Sequence, residues 1–154
     1  MDLDISYAVN RPFVVSDTIE GETVILHHGT GRYFDTAEIG TFIWRELDRG
    51  RSPRSVAVAL AVSTRIDGET ATDAVGTFLG ELVANELVSA RSAEDSFEPE
   101  PPPTAAPASF SVPTLGIHTD LADMLLLDPI HDVGPTGWPR RPETAPSASA
   151  ADAA

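Results

Sequence analysis

Glu22-Thr23-Val24-Ile25-Leu26-His27-His28-Gly29-Thr30-Gly31-Arg32-Tyr33-Phe34-Asp35-Thr36-Ala37-Glu38-Ile39-Gly40-Thr41-Phe42-Ile43-Trp44 reads as strand, turn, strand and helix in one run. Residues 23–27 are β-branched and apolar, which favours an extended chain, and Val24 and Leu26 share one face. His28-Gly29-Thr30-Gly31 holds two glycines that can take positive φ, so the chain can reverse there. Arg32-Tyr33-Phe34 is the short return strand. Asp35 followed three residues later by Glu38 has the spacing of a capping box, which predicts a helix start. Ile39, Phe42, Ile43 and Leu47 then fall at i, i+3, i+4 and i+8, one helical face.

Working outward, Phe13-Val14-Val15 reads as a first strand and Glu20-Gly21 as the turn into the second. Three short strands therefore precede the first helix, and such a meander needs helices on one face to be stable. The first helix is expected over residues 37–49, stopping at Gly50. Ser52-Pro53 starts the second, with Ser as N-cap and Pro at the first helical position. Val56, Ala59, Leu60 and Val62 form its apolar side. Asp67-Gly68 breaks it, and Thr70 or Thr72 opens a third helix in which Val75, Phe78, Leu79, Leu82 and Val83 keep the helical period. Glu86 marks the wet end, and Leu87-Val88 reads as a last extended piece. The fold class expected is α+β, winged-helix-like: a three-stranded antiparallel sheet packed on three helices. Its core is expected to include Val24, Leu26, Phe42, Ile43, Val75, Leu79 and Leu82.

The composition of the 154 residues sets outer bounds. Residues 1–91 carry 14 acids and 8 Arg, and residues 92–154 carry 10 acids and 2 Arg, with no Lys in the chain. Both parts should be repelled at long range by phosphate backbones and anionic membranes. Without Cys, disulfides, thiolate metal sites and a Cys nucleophile are excluded. The start, Met1-Asp2-Leu3-Asp4-Ile5, has no apolar run of a signal peptide, and no stretch approaches the about 20 apolar residues of a membrane helix. The expected location is cytoplasmic.

Of 13 prolines, 11 follow residue 98. Four regions are expected: a folded domain over 1–91, an acidic Pro-rich linker over 92–111, an apolar island over 112–141 and a disordered Ala-Ser-Pro tail over 142–154. Within the island, Thr119 can cap a short helix that Pro129 ends. Leu121, Met124 and Leu125 are its apolar anchors, followed by Asp128, His131, Asp132 and Trp138.

The glycine turn, the aromatic pair, the helix start and Gly40-Thr41-Phe42-Ile43-Trp44 together resemble the PqqD-like peptide chaperones over roughly residues 10–90. These are recognition domains of ribosomally made, post-translationally modified peptide (RiPP) pathways. Thr36-Ala37 stands where that family usually has Leu-Asn. The resemblance implies a non-catalytic adaptor that grips the leader of a precursor peptide and presents it to a modifying enzyme. It also implies the mode, in which the leader adds a strand beside the last strand and lies against the third helix. The candidate peptide-binding residues are Gly31, Arg32, Tyr33 and Phe34 from the return strand, with Asp73, Gly76, Thr77 and Gly80 from the third helix. Gly76 and Gly80 leave one stripe of that helix bare, for a client backbone or for packing on the sheet. Tyr33 and Phe34 point to opposite faces, so one is core and one lines the groove. Arg32 either pairs with an acidic leader or blunts an edge strand.

The island, with its Asp-Pro-Ile-His-Asp-Val and Gly-Trp-Pro signature, is similar to tails of some PqqD-like proteins. Three readings are open: a docking arm for the partner enzyme, a tethered client whose residues 128–138 are modified, and an inert solvated tail. The docking arm is preferred, because an aliphatic helix ending at proline suits a groove. Self-binding is geometrically open, since a 20-residue linker spans roughly 25 Å.

No cofactor, metal or catalytic residue is expected. His27 and His28, neighbours on a strand, face opposite ways and read as a solvated pair beside the turn. Asp128, His131 and Asp132 lack further ligands for a metal. A DNA-binding regulator is the cross-class rival. The third helix argues against it: from Glu69 to Glu86 it carries four acids and no basic residue.

Overall fold

The computed structural model describes residues 2–92 and 99–119. The elements run β1 (Tyr7–Val9), β2 (Val14–Ile19), β3 (Glu22–His27), β4 (Arg32–Ala37), α1 (Ile39–Asp48), α2 (Pro53–Thr64), α3 (Gly68–Ala84), β5 (Val88–Ala90) and β6 (Gly116–His118). The α+β class and the three helices follow the sequence reading. The strand set differs. The main sheet has four strands in the order β2-β3-β4-β6, and β1 pairs with β5 in a second, two-stranded sheet. The fourth strand comes from the region after the helices, where three residues supply too little periodicity to read from sequence.

The β2–β3 hairpin turns on Glu20 and Gly21, both at positive φ, the geometry of a tight two-residue hairpin turn. It sets Val15 opposite Leu26 and Asp17 opposite Val24. The β3–β4 pairing sets Ile25 opposite Phe34 and Leu26 opposite Tyr33. The buried face of β3 is Thr23, Ile25 and His27, with Val24 48% exposed and Leu26 half-buried. The expected core positions Val24 and Leu26 are thus on the outer face. Alternation offers two faces, and apolarity alone chose the wrong one. The polar Thr23 is buried because its hydroxyl has partners: it shares a hydrogen bond with Thr18 (2.9 Å) and donates to the Thr41 hydroxyl (3.1 Å), which donates to the Thr36 carbonyl (3.0 Å).

The capping box is also corrected. Asp35 stays in β4, and the N-cap of α1 is Glu38, which has φ 48° and makes no side-chain cap hydrogen bond. What fits α1 onto β4 is Gly40. A Cβ there would lie 1.8 Å from the Thr36 hydroxyl and 3.3 Å from Phe78, so only glycine allows this approach. Ser52 caps α2, accepting from the Ser55 N–H, with Pro53 in the first turn. Asp67, read as a helix breaker, is the N-cap of α3 and accepts from the Thr70 N–H at 2.8 Å. The core runs between the inner face of the sheet and the helices: Val14, Ile25 and Phe34 against Phe42, Ile43, Trp44, Val56, Leu60, Val75, Phe78, Leu79 and Leu82. Val62 faces solvent, because the helical period carries it past the α2–α3 contact. Among the described residues no helix is long and apolar enough to cross a membrane.

Candidate functional site

The candidate site takes in the outer edge of β4 and a cleft on α3. Phe34 is fully buried and Tyr33 half-exposed, so Phe34 is the core member of the pair and Tyr33 the surface one. Tyr33 and Asp35 share the outer face of β4. Arg32 lies with its guanidinium 5.9 Å from the Phe34 ring centre, a cation–π distance, at the end of the strand. Gly31 has positive φ and closes the β3–β4 turn, its N–H donating to the His27 carbonyl at 2.9 Å. On α3, Asp73 and Thr77 line a cleft with Thr70 and Ala74. Gly76 does not belong to that cleft: a Cβ there would meet Leu3 at 3.9 Å, so its bare stripe faces the N-terminal segment. Gly80 is half-buried on the same helix.

The chain itself lies along this site. β6 pairs antiparallel with β4 in the register Tyr33↔His118, Phe34↔Ile117 and Asp35↔Gly116. The His118 and Tyr33 rings stack with centroids 4.5 Å apart and planes 13° apart. His118 Nε2 is hydrogen-bonded to Asp35. The Thr36 hydroxyl donates to the Thr114 carbonyl (2.8 Å), and the Ser111 hydroxyl donates to Glu38 (2.7 Å). Phe110, Val112 and Pro113 form the other wall of the α3 cleft. Ala106, Phe110 and Leu115 pack against the core.

A buried anchor lies upstream. Glu46, fully buried on α1, accepts from Arg49 (3.1 Å), Arg51 (3.1 Å), and both the N–H (3.2 Å) and hydroxyl (2.6 Å) of Thr104. Burial pushes its carboxyl up. The hydrogen bonds from Thr104, Arg51 and Arg49 outweigh that and hold it below the ordinary carboxylate value. Glu100 accepts from the Ser52 N–H at 2.8 Å, and it too is held low: burial raises it, and Ser55, Ser52 and Arg51 lower it further. Residues 99–111, read as a linker without core-forming side chains, therefore lie on the domain. Their signal was present in Phe110, Val112, Leu115 and Ile117, apolar residues recurring inside a proline-rich stretch.

The remaining sequence candidates fall as follows. His27 is 6% exposed with Nδ1 unpartnered, so the solvated pair holds only for His28. His27 is inside because it shares the inner face of β3 with Ile25. Among the described residues no three His, Asp or Glu side chains gather as a metal site would need. Leu121, Met124, Leu125, Asp128, His131, Asp132 and Trp138 lie outside the described residues.

The sequence profile of the family described as coenzyme PQQ synthesis protein D (PqqD) matches residues 22–88. A solved structure titled "TbiB1 in Complex with the TbiA(beta) Leader Peptide" is similar at 30% identity and TM-score 0.52, covering 55% of this chain and 98% of that one. The chain belongs to the PqqD-like family. No curated protein matches it. The matched span of this PqqD-like chain holds β3, β4 and all three helices, the elements that build the site. Much of the rest has no counterpart in TbiB1.

Proposed function

We propose that this PqqD-like chain is a non-catalytic adaptor that binds the leader of a ribosomally made precursor peptide and presents it to a modifying enzyme. The leader adds as a strand along β4 and lies against α3, in a winged-helix-like arrangement of the meander and three helices. The observation that carries this reading is the β4 edge, which accepts an added antiparallel strand beside a cleft on α3. The likeness to TbiB1, solved with a leader peptide, supports it. Backbone hydrogen bonds along β4 supply affinity, and Tyr33, Asp35 and the α3 cleft supply choice. Ordering a peptide costs several kcal/mol, so a Kd on the order of micromolar is expected.

The helix that would read DNA in the rival account, α3, carries Glu69, Asp73 and Glu81 and no basic side chain, which argues against phosphate contacts. Calorimetry of the full chain with the leader of a short peptide encoded beside its gene tests the proposal. Binding is expected, weakened at least tenfold by Tyr33→Asp with no change in the unfolding midpoint. Failure of every such peptide to bind, or equal binding by the variant, would overturn it.

A further inference from the structure

The groove that the proposed function assigns to a leader is taken by residues of the same chain. Four independent contacts hold them. β6 satisfies the edge hydrogen-bonding groups of Tyr33 and Asp35 that a client strand would use. The stacked His118 covers Tyr33 and reaches Asp35. Phe110, Val112 and Pro113 wall the α3 cleft where a client's side chains would sit. Thr104 and Glu100 tie the approach to Glu46 on α1 and to Ser52 at the start of α2.

The occupant also matches the edge residue by residue. Gly116 pairs with Asp35, and a Cβ there would lie 2.2 Å from Asp35 Oδ1 and 2.9 Å from Cγ. Any larger residue forces the carboxylate to rotate, and rotation gives up His118. Glycine at this position and His two residues later are therefore linked demands: one leaves room for the carboxylate, the other uses it. Leu115, just before, packs on the core.

We infer that residues 110–118 of the same chain are the resident occupant of the groove, with 116–118 as the strand on β4, and that a client in trans binds by displacing them. The inference rests on the proposed leader site. The pattern Leu-Gly-x-His, with Gly against Asp35 and the ring against Tyr33, is the recognition pattern of that edge. A client that displaces the resident presents the same features or compensates with contacts beyond them.

Tethering sets the size of the effect. A short linker gives the resident strand an effective concentration on the order of millimolar. If the isolated segment binds with a Kd of about 10 μM, the resident strand weakens a competitor about 100-fold.

The test uses two full-length chains: the natural one and one carrying Leu115→Asp with Gly116→Val, changes confined to the resident strand. The probe is a fluorescent synthetic peptide spanning residues 104–119, followed by anisotropy. The expected result is binding to the double variant at least tenfold tighter than to the natural chain. A probe carrying the same two substitutions should bind neither. A helical far-UV spectrum and a single cooperative urea transition establish that the variant is folded; its midpoint is expected to fall, since the resident strand stabilises the fold it binds. If the transition loses its cooperativity, His118→Pro, which removes a ladder N–H and also spares residues 1–92, replaces it. Equal probe binding by natural and displaced chains overturns the inference and leaves the leader proposal standing. Probe binding to the displaced chain, with no client peptide binding either chain, leaves self-occupancy standing and sinks the leader proposal.

Discussion

Tyr33 and Phe34 are neighbours, and their substitution should separate folding from binding. Phe34 is fully buried at the centre of the sheet. Phe34→Ala removes a ring from a packed core and leaves a cavity, a loss of about 3–5 kcal/mol. That is a large part of the roughly 5–15 kcal/mol that holds a domain folded. Tyr33 is half-exposed, and its main contact is the stacked His118 ring at 4.5 Å. Such a pair contributes about 0.5–1.5 kcal/mol beyond area burial, which is roughly a 2- to 13-fold change in the hold on β6. Tyr33→Ala should thus barely move the global transition while loosening β6. Urea unfolding of both full-length variants gives the first quantity. Amide exchange at His118 gives the second, with a rise of about that factor expected for Tyr33→Ala. A Tyr33→Ala transition displaced as far as that of Phe34→Ala would refute the division of labour between the two faces of β4.

Three further outcomes are expected. Glu46→Ala takes the hydrogen-bonded carboxylate from the buried Arg51, leaving it only the more distant Glu100, and should cost on the order of 3 kcal/mol, read by urea unfolding. Because Glu46 is held below its ordinary value near 4.5, its contribution is complete above that pH and is lost as pH falls through the lowered value; tail contacts at Thr104 should loosen over that acid range, read by proteolysis of residues 99–119 against pH. Gly40→Ala drives a Cβ into the Thr36 hydroxyl and should cost about 1–3 kcal/mol, with partial release of Thr114, seen in exchange rates along β6.

The sequence carried the elements whose rules are local. The hairpin turn at Glu20-Gly21, the Ser52-Pro53 helix start and the apolar face of α3 each follow from a few adjacent residues. The errors arose where tertiary partners decide. Thr23 and His27 face inward because hydroxyl partners and the strand register favour it, while Val24 and Leu26 face out. Asp35 has the spacing of a helix cap, yet its side chain is drawn to His118, 83 residues away. Of the candidate residues, Tyr33 is on the outer face of β4 and Asp73 and Thr77 line the α3 cleft, whereas Phe34 is in the core and Gly76 faces Leu3. The resident strand was illegible in position because three residues of β6 gain their conformation from β4, not from their own propensity.

The most direct measurement is amide hydrogen exchange on the full chain with and without saturating leader peptide. If the leader takes the β4 edge, β4 amides stay protected while those of Gly116 and His118 become labile, because one strand has replaced another. Saturating leader that leaves β6 protection unchanged, with new protection elsewhere on the fold, would contradict the placement of the site on this edge.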